Sequence, residues 1–278
     1  MSEALELVCV GGGNMASAIL LGASERGVFE AARVGVVDPN EGKREAFASA
    51  GFWAGASLGE FAESIGERTQ VMLAVKPQAL AGASEELRAV LEGVARPVVW
   101  SILAGVPSGV VRERCGGEAS VVRLMPNTPS RVGKGATAMA LGEGAEAGDE
   151  ELARRVFEAI GAVYAIDEGQ MDAFTAVAGS GPAYFFAMVE ALAEAGERVG
   201  LPGEVARGAA MQTAIGAARL LEESGLSPKE LREAVTSKGG TTAAGLGALA
   251  EGGFASVIAG AVEAARDRGA ELGRASAQ

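Results

Sequence analysis

The chain has 278 residues, 49% of them hydrophobic, with 24 basic against 36 acidic side chains and a formal charge of −12. That balance repels a phosphate backbone, and no basic run offsets it, so neither nucleic acid nor an anionic membrane surface is an expected partner. The lack of any histidine removes Ser-His-Asp triads, histidine-activated cysteines and most catalytic zinc sites, and leaves chemistry that a cofactor carries itself.

The opening Met1-Ser2-Glu3-Ala4-Leu5-Glu6 is acidic and lacks the basic region of a signal peptide, so the expected location is the cytoplasm. Apolar, β-branched runs at residues 5–10, 33–37, 71–75, 98–102 and 120–124 predict strands. Their nearly continuous hydrophobicity suits a parallel sheet covered on both faces. Segments 16–26 and 42–49 are long enough for crossover helices, so a doubly wound α/β sheet is expected. Runs at 136–141 and 163–166 add edge strands around a helix over 151–160, whose Leu152, Val156, Phe157 and Ile160 share one face. Cys9 reads as a small core residue and Cys115 stands alone among charges, with no disulfide framework or metal-ligand spacing.

Beyond residue 166 the strand signals stop, and helices are predicted over 171–178, 183–199, 203–222, 228–235, 243–250 and 254–272. Ser227-Pro228-Lys229-Glu230 combines a capping residue, a first-turn proline and a glutamate three residues after the cap, which marks a helix start. The uncharged stretch 173–189 is interrupted by Gly179-Ser180-Gly181-Pro182 and makes a poor membrane span. The helix over 203–222 carries Val205, Met211, Ile215, Leu220 and Leu221 on more than one face. Such a helix has to be buried, either in a dimerisation core or in a tightly packed monomeric bundle.

Two motifs carry chemistry. After Leu7-Val8-Cys9-Val10 comes Gly11-Gly12-Gly13-Asn14-Met15-Ala16, a G-x-G-x-x-A pattern between a strand and a helix. Gly11 allows a tight turn, Gly13 lets the backbone approach a pyrophosphate, and Ala16 permits close helix packing. Asp38 ends the second strand, where an acid accepts hydrogen bonds from the adenosine ribose and favours NADH. Lys43 and Arg44 follow and suit a 2′-phosphate, so the choice between NADH and NADPH stays open. The second motif runs Thr236-Ser237-Lys238-Gly239-Gly240-Thr241-Thr242-Ala243-Ala244-Gly245-Leu246. Its glycines let N–H groups converge at a helix start, which reads as a pocket for a small carboxylate.

These motifs combine with Ala74-Val75-Lys76-Pro77-Gln78, Ser101-Ile102-Leu103-Ala104-Gly105-Val106, Met125-Pro126-Asn127-Thr128-Pro129 and Gly179-Ser180-Gly181-Pro182-Ala183-Tyr184-Phe185. In this order they resemble the pyrroline-5-carboxylate reductase family from end to end. The resemblance implies an N-terminal Rossmann-type doubly wound sheet, residues 1–166, followed by an all-helical dimerisation and substrate domain, residues 167–278. It implies reduction of 1-pyrroline-5-carboxylate to L-proline by NADPH or NADH, in a homodimer or a higher homo-oligomer built from dimers. The cofactor residues it implies are Val10, Gly11, Gly12, Gly13, Asn14, Met15, Ala74, Val75, Lys76 and Pro77, joined by Asp38. The substrate residues are Ser237, Gly239, Gly240, Thr241 and Thr242, with the Thr242 hydroxyl near the ring nitrogen as the catalytic group. No metal is implied. Pro77 and Pro126 would also serve simply to end strands, and residues 237–242 simply to cap a helix.

Three positions depart from the family pattern. Lys238 stands where proline is usual, Ala178 replaces a common serine, and Asp38 occupies a place where NADPH-using members carry a small hydroxyl residue. The rival enzyme reading, a β-hydroxyacid dehydrogenase, needs a catalytic lysine after a glycine-rich helix start, and residues 179–190 contain none. A non-catalytic nucleotide-sensing module is the rival of another class.

Overall fold

A computed structural model describes residues 5–276. The Met1 to Ala4 segment, part of the acidic opening behind the expected location, lies outside the described residues. The strands are β1 (Leu7–Val10), β2 (Val34–Val37), β3 (Trp53–Gly55), β4 (Gln70–Leu73), β5 (Val98–Ser101), β6 (Ser120–Met125), β7 (Gly135–Leu141) and β8 (Gly161–Ala165). They form one sheet in the order β3-β2-β1-β4-β5-β6-β7-β8. Neighbours pair in parallel except β7, which runs antiparallel to β6. The order reverses between β1 and β4, and this switch opens a crevice at the carboxyl ends of the strands.

Five helices cover this sheet: α1 (Asn14–Glu25), α2 (Glu41–Ser49), α3 (Leu80–Val90), α4 (Ser108–Arg114) and α5 (Glu151–Glu158). β1 shows why its sequence is apolar throughout. Leu7 and Cys9 join a core with Ile19 and Leu20 of α1 and Val156 and Phe157 of α5. Val8 and Val10 join a second core with Leu87 of α3 and Val111 of α4. Alternate side chains thus serve opposite faces, and both faces are dry. The two cysteines divide between the same cores: Cys9 on the first face and Cys115 on the second. Burial pushes the Cys115 thiol up to about 12 against the opposing charge of Arg88, and burial raises Cys9 as well.

The predicted strands all appear, with ends shifted by a few residues, and β3 is an addition. The 171–178 helix is corrected: α6 (Met171–Phe174) passes into a π-turn (Thr175–Gly179). The chain continues as α7 (Gly181–Arg198), α8 (Gly203–Glu223), α9 (Pro228–Ala234), α10 (Thr241–Glu251) and α11 (Phe254–Ser276). The capping box at Ser227 forms as its sequence predicts, with Glu230 N–H donating to Ser227 Oγ at 3.3 Å.

By packing, the chain forms two compact units, and the second is Gly181–Ala264. The first contains everything before it together with the end of α11, where Leu272 lies against Gly105. Residues 166 and 167, the expected domain boundary, both fall within the first unit. In the second unit α7 and α8 meet through small residues, and a Cβ on Gly196 would sit 3.1 Å from that of Ala206. The larger apolar groups of α8 point away from this contact: Val205, Met211, Ile215, Leu220 and Leu221 are 45–58% exposed. A self-contained monomeric bundle would bury them, so that alternative is overturned. By length and composition alone the run Glu168–Arg198, with a mean hydropathy of 1.2, would pass as a membrane-crossing helix.

Candidate functional site

The glycine turn sits where β1 meets α1 at the switch crevice. Gly11 has φ +105°, and a Cβ there would lie 2.7 Å from the Ala74 carbonyl oxygen and 3.0 Å from Val75 N. Only glycine meets both demands. The close approach also joins two of the expected cofactor segments: Ala74 N–H donates to the Val10 carbonyl at 2.8 Å, so residues 10–11 and 74–75 form one surface. Gly13 begins α1 without any side-chain cap, and a Cβ on it would project into open space. No acidic residue occupies the first turn of α1, and Ala16 is fully buried against the sheet. Unclaimed N–H groups, an open cradle and the positive end of a helix fit a pyrophosphate. Lys76 is exposed beside the 3-10 turn Pro77–Ala79, and the expected strand over 71–75 stops at Leu73.

Asp38 follows β2 directly and is 5% exposed. Its Oδ2 accepts from Gly12 N–H and from Lys43 Nζ, both at 2.9 Å, and its Oδ1 accepts from Asn40 N–H at 2.9 Å. Burial works against the charge, but the bonds from Asn40, Lys43 and Gly12 outweigh it and hold the carboxyl below its ordinary range. Arg44 Nη1 donates to the carbonyls of Asp38 at 3.0 Å and Pro39 at 2.8 Å.

Two further polar anchors escaped the sequence reading. Asn127, in the Met-Pro-Asn-Thr-Pro motif after β6, donates from Nδ2 to the Ala178 carbonyl at 2.9 Å and accepts from Ala136 N–H at 2.8 Å. Pro182 has no N–H for the carbonyl four residues before it, and Asn127 supplies one. That proline was the available signal. Glu168 accepts from Arg123 Nη1 at 2.9 Å, from Ser108 N–H at 2.7 Å and from the Ser108 hydroxyl. Burial raises this carboxyl, yet the Ser108 bonds and the Arg123 charge lower it below the usual range.

In the second unit, Gly239 has φ +73° and turns the chain into α10, whose N-cap is Gly240. Gly240 N–H donates to the Ser237 carbonyl at 3.0 Å, so it is already engaged. The Ser237 hydroxyl packs against Gly240 so closely that a Cβ there has no room. No side chain caps α10, which leaves the N–H groups of Thr241, Thr242 and Ala243 pointing out of the helix end. The loop therefore brings together Ser237, Gly239, Gly240, Thr241 and Thr242, with Lys238 exposed beside them.

Residues 168–272 match the family model described as pyrroline-5-carboxylate reductase dimerisation, a span that contains the Glu168–Arg198 run and the outward-facing α8. Residues 6–105 match a model described as NADP oxidoreductase, coenzyme F420-dependent. A pyrroline-5-carboxylate reductase of Pisum sativum is 37% identical over 272 residues, covering 98% of this chain and 97% of the relative. Among solved structures, the pyrroline-5-carboxylate reductase of Coxiella burnetii superposes with a TM-score of 0.89 at 34% identity, covering 97% of this chain and 99% of its own. The pyrroline carboxylate reductase of Plasmodium falciparum, solved with NADP bound, gives 0.83 at 27% identity and covers 98% and 100%. With a glycine turn shaped for a dinucleotide at one end, an uncapped helix start at the other and full-length relatives across that span, the chain belongs to the pyrroline-5-carboxylate reductase family.

Proposed function

We propose that the chain reduces 1-pyrroline-5-carboxylate to L-proline with NAD(P)H, the last step of proline biosynthesis, as a homodimer or a higher homo-oligomer built from dimers. The observation that carries this reading is the match of 98% of the chain to a relative named for that reaction. Residues 1–166 hold the dinucleotide and residues 167–278 supply dimerisation and the substrate loop.

Bound NAD(P)H supplies a hydride from C4 of the nicotinamide to C5 of the cyclic imine. The new C–H bond moves the C=N π pair onto nitrogen, and the iminium form, already protonated, becomes the amine without a further proton. The residues consequently have to orient and balance charge more than act as a strong base, in keeping with a chain that has no histidine. Val10, Gly11, Gly12, Gly13, Asn14 and Met15 cradle the pyrophosphate, and Ala74, Val75, Lys76 and Pro77 flank the nicotinamide nucleotide. The substrate carboxylate takes the N–H groups at the start of α10 and the Ser237 hydroxyl. Since Gly240 N–H is engaged with Ser237, Thr241 and Thr242 are the main-chain donors. Each exposed helix-end donor contributes about 0.3–1 kcal/mol toward an anion, so several must act together. The Thr242 hydroxyl orients the ring nitrogen.

The test follows reduced nicotinamide absorbance with 1-pyrroline-5-carboxylate. Turnover that falls at least about tenfold in Thr242→Ala is expected, the loss of one oriented polar contact in the transition state. No oxidation of either NADH or NADPH by the parent chain would reject the reductase reading in favour of a sensing module.

A further inference from the structure

The two dinucleotides differ by one phosphate on the adenosine ribose, and the end of β2 is where the fold reads that position. Asp38 stands there with an ionised carboxylate, which can only accept hydrogen bonds. Oδ1 takes a single donor, Asn40 N–H, and retains a lone pair for another. A ribose 2′-hydroxyl can donate to it. A 2′-phosphate cannot, and it brings its own negative charge against the carboxylate.

A cation could offset that repulsion, and two follow in the sequence. Lys43 Nζ gives one of its three donors to Asp38 Oδ2 at 2.9 Å, which sets its charge against that carboxylate. Arg44 Nη1 donates to the carbonyls of Asp38 and Pro39, which ties the guanidinium to the turn through one of its three nitrogens. Both brace the turn after β2. Asp38 is further fixed by Gly12 N–H, and a side chain at position 12 would crowd it, since a Cβ there would come 3.1 Å from the Phe47 ring and 3.5 Å from Asp38 Oδ2.

We infer that Asp38 makes this chain an NADH-preferring member of its family, by accepting the ribose 2′-hydroxyl while Lys43 and Arg44 hold the carboxylate and its turn in place. The resemblance does not carry this, because the Plasmodium falciparum relative was solved with NADP. The inference rests on the reductase reading for the reaction, but not for binding.

The experiment is calorimetric titration of the full chain with NADH, NADPH, 5′-AMP and adenosine 2′,5′-bisphosphate, alongside steady-state rates with 1-pyrroline-5-carboxylate. NADH is expected to bind about tenfold or more tightly than NADPH, the scale set by forcing like charges together, and 5′-AMP to outbind the bisphosphate. Asp38→Asn, which keeps the shape and removes the charge, is expected to shrink that ratio to about threefold or less. Lys43→Ala unmasks the carboxylate and lowers NADPH affinity more than NADH affinity. Equal or tighter binding of NADPH by the parent chain overturns the inference. The adenosine fragments decide the matter on the parent chain even if Asp38→Asn fails to fold. Selective NADH binding without imine reduction would reject the reaction and leave the role of Asp38 standing.

Discussion

In the first unit β1 sends Leu7 and Cys9 into one core and Val8 and Val10 into another, all of them buried. In the second, α8 leaves Val205, Met211 and Ile215 about half exposed in the single chain. The same kind of residue therefore does two jobs. The sheet is covered on both faces by helices of its own chain. The helical unit has its small residues inside and its large ones outside, which inverts the usual arrangement. Full burial of a side chain of this size contributes about 1.5–3 kcal/mol, so covering the exposed half of each would add about 1 kcal/mol to residues 181–264 on association.

The strongest way to break the contrast is a charge on the outward face of α8. Met211→Asp combined with Ile215→Asp, one turn apart, is expected to abolish the oligomer and melt the helical unit, while the sheet keeps its fold. Light scattering reports the first, and circular dichroism with Trp100 fluorescence reports the second. A sheet that unfolds along with the helices would show that the two units are not independent in stability.

Within the sheet, a cavity should cost regardless of association. Trp100 is fully buried on β5 and its Nε1 donates to Gln70 Oε1 at 2.5 Å. Trp100→Ala is expected to lose about 3–5 kcal/mol in denaturant unfolding, with no change in oligomeric state. Next in size is Glu168→Gln, which leaves the largely buried Arg123 short of its charge partner and should cost about 1–3 kcal/mol at neutral pH. Glu168 titrates below its unfolded value, so its contribution is complete above that value and fades as pH falls through the lower folded one. The variant should accordingly lose part of the acid limb of the stability curve, measured as the denaturation midpoint from neutral pH down to about pH 3. The smallest effect is expected at Lys238→Pro, which restores the residue usual in the family. Stability should be unchanged and kcat/KM within about threefold, the range of an exposed charge near an anion. Complete loss of activity would mean that the loop binds substrate in another way.

The sheet was readable in advance because buried parallel strands leave long runs such as Val71 to Leu73 or Val98 to Trp100, which no other element of that length demands. β3 was not, since Trp53-Ala54-Gly55 is three residues long and Trp53 is half exposed. The π-turn at 175–179 reads as ordinary helix until the missing N–H of Pro182 is set against the Ala178 carbonyl. At the candidate site, the glycines and the 237–242 loop were legible because backbone constraints are written in residue type. The engagement of Asp38 with Gly12 and Lys43, and of Gly240 with Ser237, depends on how the turn closes. Sequence shows which groups can accept or donate, not which of them are already taken. The return of the end of α11 to Gly105 left no trace in periodicity, because the contact is made by two glycines, Gly105 and Gly273, and the edge of Leu272.

The chain has two cysteines, and both lie inside the sheet unit, one on each face, with thiols that burial keeps protonated. The thiolate is the form that attacks an alkylating reagent, so neither cysteine reacts until its own layer opens. Residues 181–264 carry no thiol at all. The labelling rate of the native chain is thus a clock for the opening of the first unit, read from thiols that residues 181–264 do not contribute. Separate mass peaks for the peptides carrying Cys9 and Cys115 would time the two faces independently.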